Sequence, residues 1–181
     1  ARIITNAAAK YQVVTQMGDQ GASCEGMQTM REWIEADLIG EISKVYCWTD
    51  RPVWPQGIAW PKTPSRIPKE LNWDLWLGTA PKTNYIENLV PFNWRGWWAF
   101  GTGALGDMAC HIMDPVFRCL PILYPSDVEC SVASIWKAMW DDTANTDACP
   151  PSTIIHLTYP RTDGKKGDIK VSWYDGGLLP Q

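Results

Sequence analysis

The spacing of hydrophobic positions changes along the chain, and each change predicts a different kind of element. The first regular stretch has a hydrophobic residue at every third or fourth position: Met27, Met30, Ile34 and Leu38. This spacing places the four side chains on one face of an α-helix, which Ser23 can cap and Gly40 can end. Residues 41–49, which follow directly, are rich in β-prone side chains and predict a strand.

Three stretches in the C-terminal part of the chain alternate in the way that strands of a half-buried sheet do. The alternating positions are Val128, Cys130, Val132, Ser134 and Trp136 in the first, Ile155, Leu157 and Tyr159 in the second, and Ile169, Val171 and Trp173 in the third. Consecutive strands that are joined by loops favour an antiparallel sheet. Together with the helices, they predict an α+β fold.

Between Trp48 and Trp98 no regular spacing is present. This stretch contains eight of the twelve tryptophans and seven of the fourteen prolines. A structureless connection of this length is uncommon inside a compact domain and is usually functional where it occurs. We interpret it as an ordered covering loop, with a short helical turn at residues 72–77.

A second helix is predicted from Ala104 to about Leu120. Pro115 lacks the N–H that would bond the carbonyl of His111, so the helix should kink or end near His111. Asp107 and His111 are four residues apart and therefore lie on one helix face. A carboxylate at this spacing can orient an imidazole that acts as a general acid or base. The alternative is a capping aspartate and a buried structural histidine.

Composition and charge limit the classes of function. The chain has 181 residues, enough for one domain, and its 16 basic and 20 acidic side chains leave a net charge of −4. Nucleic-acid binders carry a basic patch or stripe, so no nucleic-acid partner is expected. No run of the chain approaches the roughly 18 apolar residues of a membrane-spanning helix, so no membrane partner is expected either.

Six cysteines and two histidines raise the question of disulfides or a metal site. No two cysteines have the C-x-x-C spacing, and a chain of this length does not need a disulfide framework. We therefore expect no metal site. The cysteines are expected to be reduced and mostly packed as small apolar groups.

Gly101, Gly103 and Gly106 fit the G-x-G-x-x-G spacing of a dinucleotide-binding turn. Such a turn requires an aliphatic strand before it and a β-α-β unit around it, whereas a loop rich in Trp and Arg precedes these glycines. We interpret the glycines instead as positions where the backbone approaches a ligand or a neighbouring segment closely.

Several segments together resemble the Gfo/Idh/MocA oxidoreductases, named for glucose–fructose oxidoreductase and inositol dehydrogenase, and in particular a Bacteroidetes-type subgroup. These segments are residues 93–115, 15–21, 73–78 and 173–177. The resemblance covers nearly the whole chain. It implies an open, mainly antiparallel β-sheet with helices on one face, which forms the substrate domain of an NAD(P)-dependent enzyme. The implied substrate is a sugar, inositol or a related polyol.

The resemblance also implies how the chain is divided. Residues 1–20 would be a remnant of the last helix and strand of a Rossmann domain that is otherwise almost entirely absent, with the β-prone residues 11–16 as that strand. Residues 21–181 would be the substrate-binding and catalytic domain, incomplete at its C-terminus. The family's nucleotide fingerprint and its Glu-Lys-Pro motif would lie upstream, so the fragment alone is expected to be inactive.

The family's Asp-x-x-x-His motif maps onto Asp107 and His111. The resemblance implies that His111 moves the proton of the reacting hydroxyl while hydride passes to or from the nicotinamide. Asp107 would orient His111 or bind a neighbouring hydroxyl. Relatives usually carry Asp where Ala99 stands here, so one polar contact beside the site differs.

Further candidates lie near this motif. The candidates for sugar contacts are Arg95, Trp94, Trp97 and Trp98. Aromatic rings stack on the C–H faces of sugars and a guanidinium donates to hydroxyls, whereas the alternative for each tryptophan is a core position. Gln16 and Gln20 follow a predicted strand and are candidates for contact with the cofactor, NAD or NADP. His156 is interpreted as structural.

Two other functions stay open at this point. One is an NAD-assisted glycoside hydrolase or lyase with no net redox change, and the other is a non-catalytic, Trp-rich carbohydrate-binding module. Members of the family commonly form dimers and tetramers, so a homo-oligomer through the sheet face is expected. The compartment stays open between cytoplasm and periplasm.

Overall fold

A computed structural model describes residues 2–142 and 147–181. The described residues form five α-helices, one short 3₁₀ helix and six strands. In chain order these are α1 (Arg2–Tyr11), α2 (Glu25–Glu35), β1 (Lys44–Trp48), α3 (Trp73–Leu77), the 3₁₀ helix (Asn93–Gly96), α4 (Gly103–Ile112), α5 (Asp114–Cys119), β2 (Asp127–Val132), β3 (Trp136–Ala138), β4 (Asp141–Asp142), β5 (Thr153–Pro160) and β6 (Asp168–Tyr174). Within this part of the chain, no helix has the length and apolar character needed to cross a membrane.

Four strands form one open sheet in the order β1-β6-β5-β2, and β3 pairs with β4 separately. β5 is antiparallel to both β2 and β6, whereas β1 is parallel to β6. A parallel pair needs a long crossover, which residues 49–167 supply here. The predicted α+β fold with an open, mainly antiparallel sheet is confirmed, and its one parallel pair is a feature that local spacing does not predict.

The main core lies between the sheet and helices α2, α4 and α5. Ile169, Val171 and Trp173 of β6 have no exposed surface (0%) and pack in one cluster with Met113 and Val116 from the helical side. Their burial confirms the alternation predicted for β6, and the buried positions of β5 confirm it for that strand. One face of a strand enters the core because successive side chains point to opposite faces of a sheet.

The opposite face of the sheet carries more polar and exposed side chains. His156 lies there, and its Nδ1 is 2.8 Å from the hydroxyl oxygen of Ser172 on the neighbouring strand. Tyr46 and Trp48 of β1 share this face and are 43% and 51% exposed. The hydrogen bond within the sheet supports the structural interpretation of His156.

The Trp-rich stretch before α4 is ordered, as predicted, and forms a second core. Leu89 and Trp97, 1% and 3% exposed, lie at its centre. The rings packed around them are Trp60, Trp73, Trp76, Trp94 and Phe100. The short helix predicted at residues 72–77 is confirmed as α3, and the Asn72 side chain caps it by accepting a hydrogen bond of 3.1 Å from the backbone N–H of Leu75.

The prediction of a strand at residues 11–16 is wrong. Helix α1 continues to Tyr11, and residues 12–20 form no strand. Isolated extended backbone gains no ladder hydrogen bonds, and none of the described strands pairs with this segment. The next helix, α2, begins after Cys24 and not after the predicted cap Ser23.

The helix predicted from Ala104 to Leu120 is two helices, α4 and α5, which meet at Met113. The predicted break near His111 is therefore confirmed, and Pro115 is its cause.

The first alternating stretch, residues 128–136, also differs from the prediction. β2 is an edge strand and all six of its residues are exposed, so neither of its faces enters the core, and Trp136 belongs to the separate strand β3.

The six cysteines are free, as predicted. Cys47 and Cys149 are buried, and burial raises the pKa of each thiol to about 11. Cys24, Cys110 and Cys130 are exposed, so the expectation that the cysteines are mostly packed in the interior is wrong for these three.

A buried carboxylate closes the end of β6. Asp175, 1% exposed, accepts hydrogen bonds from the backbone N–H of Thr153, from the Thr153 hydroxyl at 2.7 Å and from the Trp173 indole N–H at 2.9 Å. These three donors replace the water that a carboxylate loses on burial. The contacts fasten the end of β6 to the start of β5.

Candidate active site

Helix α4 carries the predicted Asp-x-x-x-His motif, and close packing fixes where it begins. Gly103, its first residue, has a φ of +64°, and a Cβ at this position would lie 2.6 Å from the Cβ of Cys149. A Cβ at Gly106 would overlap the side chain of Thr102. Protein atoms fill the space that a phosphate would need, and a 3₁₀ helix precedes α4 where a dinucleotide turn requires a strand. The interpretation of these glycines as close backbone contacts is confirmed.

His111 lies in the last turn of α4 and faces the segment between α1 and α2. Its Nδ1 is 2.9 Å from Oδ1 of Asp19 and 3.1 Å from the backbone carbonyl oxygen of Gln20. The side chains of His111 and Asp19 are 34% and 12% exposed. The ring is thus held on its Nδ1 side by two oxygen atoms from neighbouring residues.

Asp107, one turn earlier on α4, pairs with Arg95. The Arg95 Nε donates to Oδ1 of Asp107 at 3.0 Å, and Nη1 donates to the backbone carbonyl of Phe92 at 2.9 Å. The guanidinium carbon lies 4.4 Å from the centre of the Phe92 ring and 4.7 Å from that of Trp94. Two hydrogen bonds and two aromatic faces therefore hold this guanidinium in place.

Asp107 and His111 lie on one face of α4, as predicted, but each has a hydrogen-bond partner other than the expected one. Asp107 was expected to orient His111 or to bind a hydroxyl, and its hydrogen-bond partner is Arg95. Side chains on a helix lean toward its N-terminus, which directs Asp107 toward the segment that precedes α4 and carries Arg95. A spacing of four residues establishes a shared face and does not establish a contact.

Asp19 is the site residue that sequence reasoning missed. It stands between the two candidates Gln16 and Gln20, in a segment already noted for its resemblance. An acidic residue flanked by Gly18 and Gly21 was the available signal. Its significance depends on a contact with His111, 92 positions away in the sequence, which no local pattern predicts.

The three candidate tryptophans occupy different environments. Trp97 is 3% exposed and packs edge-on against Trp60 at 4.7 Å, so its core alternative is supported and its proposed sugar contact is not. Trp94 is half-buried, and its indole N–H donates to the carbonyl of Pro91 at 3.1 Å while its ring lies against Arg95. Trp98 is 51% exposed.

Trp98 lines a separate cavity of about 390 Å³, between the start of α4 and the sheet edge. Asp19, Arg95, Asp107 and His111 do not line it. Its wall is largely apolar, and the buried Asp175 and Cys149 belong to that wall. The structure therefore separates Trp98 from the residues around His111.

The two glutamine candidates are exposed and contribute unequally. Gln20 reaches His111 through its backbone carbonyl and not through its side chain, and Gln16 makes no described contact with the site. In the described residues, no β-α-β unit with a glycine-rich turn surrounds either one. These residues do not fit the binding of a whole dinucleotide, whose phosphates would need partners outside them.

Asp19, Cys110 and His111 also form a group with potential metal ligands. Each offers one donor atom, and the three atoms lie within 4.8 Å of one another. The Cys110 thiol, however, lies 3.4 Å from the backbone carbonyl of Asp107 and donates to it. The sequence predicted no metal site, and this cluster is the candidate that the described part of the chain contains.

Comparison with known proteins identifies one family. Residues 31–166 match the Gfo/Idh/MocA family described as "Oxidoreductase family, C-terminal alpha/beta domain". The match includes α4, both members of the Asp-x-x-x-His motif and most of the sheet. No curated protein matches the chain.

Proposed function

Because the chain belongs to the Gfo/Idh/MocA oxidoreductase family through its C-terminal alpha/beta domain, we propose that it binds the substrate of an NAD(P)-dependent oxidoreductase. The substrate would be a sugar, inositol or a related polyol. The observation that carries this proposal is His111, which is held at Nδ1 while its side chain stays 34% exposed. A histidine held on one side and open on the other can exchange a proton with a bound hydroxyl.

The reaction would transfer two hydrogens from one alcohol carbon and its oxygen. The hydroxyl proton would pass to His111, and the C–H hydrogen would leave with its electron pair to the nicotinamide of NAD or NADP, so that a carbonyl forms. The described residues do not fit the whole dinucleotide, so a Rossmann domain outside them would hold it. The contribution of this chain is to position the alcohol and to accept its proton.

Arg95 and Asp107 would bind hydroxyls beside the reacting one. A guanidinium has five N–H donors, and Arg95 uses one on Asp107 and one on the Phe92 carbonyl. Its remaining N–H donors suit a polyol, which presents hydroxyl acceptors. The rigid position of Arg95 supports this role, because a fixed donor loses little entropy when a ligand binds.

Activity of the chain joined to a Rossmann domain from another member of the family tests this proposal. We expect reduction of NAD or NADP with some members of a polyol panel, and a 10²- to 10⁴-fold lower kcat in His111→Asn, about the contribution of a general acid or base. His156→Asn is the matched control, since His156 is the other histidine and bonds only within the sheet. Full activity of His111→Asn would contradict the proposal.

Assays of the same fusion protein distinguish two alternative functions. NAD-assisted glycoside cleavage would release a sugar from a glycoside with no net formation of NADH. A carbohydrate-binding module would bind glycans tightly without any nucleotide. The structure supports the module least, because six of the eight loop tryptophans are occupied within the fold. Trp54 and Trp97 are buried, and Trp60, Trp73, Trp76 and Trp94 pack against the second core.

We also propose that copies of the chain associate through the open sheet face. Tyr46 and Trp48 expose much of their surface there, beside Lys44 and Lys170. Exposed aromatic groups on a sheet are typical of surfaces that bind protein. Light scattering of the wild type and of Trp48→Lys would test this, with a larger mass expected for the wild type alone.

A further inference from the structure

The two carboxylates near His111 have different partners, and the difference assigns them different roles. We propose that Asp19 is the positioning residue of His111. It holds the imidazole in the tautomer that carries its hydrogen on Nδ1, which leaves Nε2 to exchange the substrate proton. The catalytic consequence rests on the proposed function, whereas the tautomer does not depend on it.

The atoms around Nδ1 determine which nitrogen carries the hydrogen. Oδ1 of Asp19 lies 2.9 Å away and the carbonyl oxygen of Gln20 lies 3.1 Å away, both within hydrogen-bond distance. A carbonyl oxygen can only accept, and so can an ionised carboxylate. Nδ1 must therefore donate, and in the neutral ring Nε2 then has the free electron pair that can accept a proton.

Local turns hold Asp19 in this position. The backbone N–H of Ala22 donates to the Asp19 carbonyl at 3.2 Å, and the N–H of Cys24 donates to the Gly21 carbonyl at 3.1 Å. Gly21 has a φ of +95°, a conformation that L side chains rarely adopt. The turns lead directly into α2, so the Asp19 side chain, 12% exposed, is held against α4.

Asp107 does not share this role. Its Oδ1 accepts the hydrogen bond from Arg95, whose guanidinium is fixed by the Phe92 carbonyl and two rings. Rotating Asp107 toward His111 would break this charge-assisted hydrogen bond, which is among the stronger side-chain contacts of the site. Asp107 is therefore assigned to Arg95 and to the substrate hydroxyls.

A metal ion shared by Asp19, Cys110 and His111 is the competing explanation of the same cluster. Two ligands held about 2.0–2.1 Å from a tetrahedral zinc lie roughly 3.3 Å apart. The observed Asp19–His111 distance of 2.9 Å is that of a hydrogen bond. The Cys110 thiol donates to the Asp107 carbonyl, so it is directed to the helix backbone.

Nitrogen-15 NMR of the histidine side chains in the full chain tests the tautomer without any activity. The chain has two histidines, so His156, which bonds to Ser172, is an internal reference. At alkaline pH we expect His111 to show its hydrogen on Nδ1. In Asp19→Ala the share of the Nε2–H form should rise, with His156 unchanged and with no change at His111 in the control Asp107→Ala.

A His111 signal that is the same in wild type and Asp19→Ala would overturn the proposal. Addition of Zn²⁺ that moves the His111 hydrogen from Nδ1 to Nε2, reversed by a chelator, would overturn it in favour of a metal ion bound at Nδ1. If Asp19→Ala does not fold, which the His156 signal reports, the same spectra are recorded on Asp19→Leu, which has a similar size and no hydrogen-bond acceptor. There, an unchanged His111 spectrum counts against the proposal.

Kinetics of the same fusion with a Rossmann domain of the family test the consequence. We expect Asp19→Ala to lower kcat about 10- to 100-fold with little change in KM, because a misoriented ring accepts the proton poorly while the groups that bind the other hydroxyls are unchanged. Asp107→Ala should instead raise KM, and Asp19→Glu should restore part of kcat. An equal loss of kcat in both alanine variants would contradict separate roles. An active His111→Asn enzyme would reject the proposed function and leave the NMR result standing.

Discussion

The end of β6 and the segment before α2 both place a carboxylate in a sheltered position, but the two carboxylates have different kinds of hydrogen-bond partner. Asp175 is 1% exposed, and backbone, hydroxyl and indole donors surround it. Asp19 is 12% exposed and bonds to a histidine that is itself 34% exposed. The first network is closed to solvent, whereas the second ends in a titratable ring that a ligand can reach.

This difference separates polar groups that stabilise the fold from those available for chemistry. A fully satisfied buried network rigidifies the core and has no group left to offer a ligand. A network that ends at an exposed imidazole leaves one hydrogen-bonding position open, at some cost in stability. The same contrast exists between the buried thiols of Cys47 and Cys149 and the exposed thiol of Cys110 on α4.

The largest loss of stability is expected from a substitution in the buried hydrogen-bond network of Asp175. Asp175→Asn keeps the size of the side chain but places an amide against donors that need an acceptor. Because bonds to charged groups contribute about 1.5–3 kcal/mol each and stranded donors cost more, the free energy of unfolding should fall by about 2–4 kcal/mol. Urea denaturation measures this as a lower midpoint with an unchanged slope.

The matched control for this change is Asp74→Asn. Asp74 is 79% exposed and lies 3.5 Å from Lys82, and exposed pairs of this kind contribute about 0–1 kcal/mol. If both variants lose the same small amount of stability, Asp175 does not anchor the end of β6 and the proposed contrast fails.

Thiol labelling sharpens the same contrast. Burial raises the pKa of Cys47 and Cys149 to about 11, from an ordinary value of 9.0, so at pH 8 their thiolate fraction is roughly 100-fold lower than that of an ordinary thiol. A thiol reagent should therefore modify Cys24, Cys110 and Cys130 first, as peptide mass spectrometry can show. Fast labelling of Cys47 in the folded chain would mean that the main core opens.

The smallest effect is expected at Asp163, a partly exposed carboxylate that pairs with the largely buried Arg161. The side-chain hydrogen bonds from Arg161 lower the pKa of Asp163 from 3.8 to about 2. A carboxyl group whose pKa is lower in the folded chain stabilises it above about pH 4, and this stabilisation is lost as the pH falls toward 2.

Unfolding of the wild type and Asp163→Asn across this pH range provides the measurement. The wild type should be the more stable protein at pH 7, and the difference should shrink between pH 4 and pH 2. A difference that stays constant with pH would show that the Arg161 pair does not act through the charge of Asp163.

Much of the fold is predictable because it follows from local periodicity. The alternation at Ile169, Val171 and Trp173 predicts a half-buried strand, and these residues have no exposed surface. Pro115 predicts the break between α4 and α5 because a missing N–H acts within one turn. The strand expected at residues 11–16 is not formed. A strand needs a partner strand to bond with, and the residues of the segment alone do not determine whether one is present.

In the candidate site too, some features follow from local sequence and others only from tertiary contacts. The residue types and spacing of Asp107 and His111 by themselves determined a shared helix face and, with the surrounding tryptophans and glycines, the family to which the chain belongs. Only the tertiary structure decided which carboxylate contacts the imidazole, because Asp19 and Arg95 reach α4 from segments distant in the chain. Helical spacing depends on neighbouring residues, whereas hydrogen-bond partners depend on how separate segments pack.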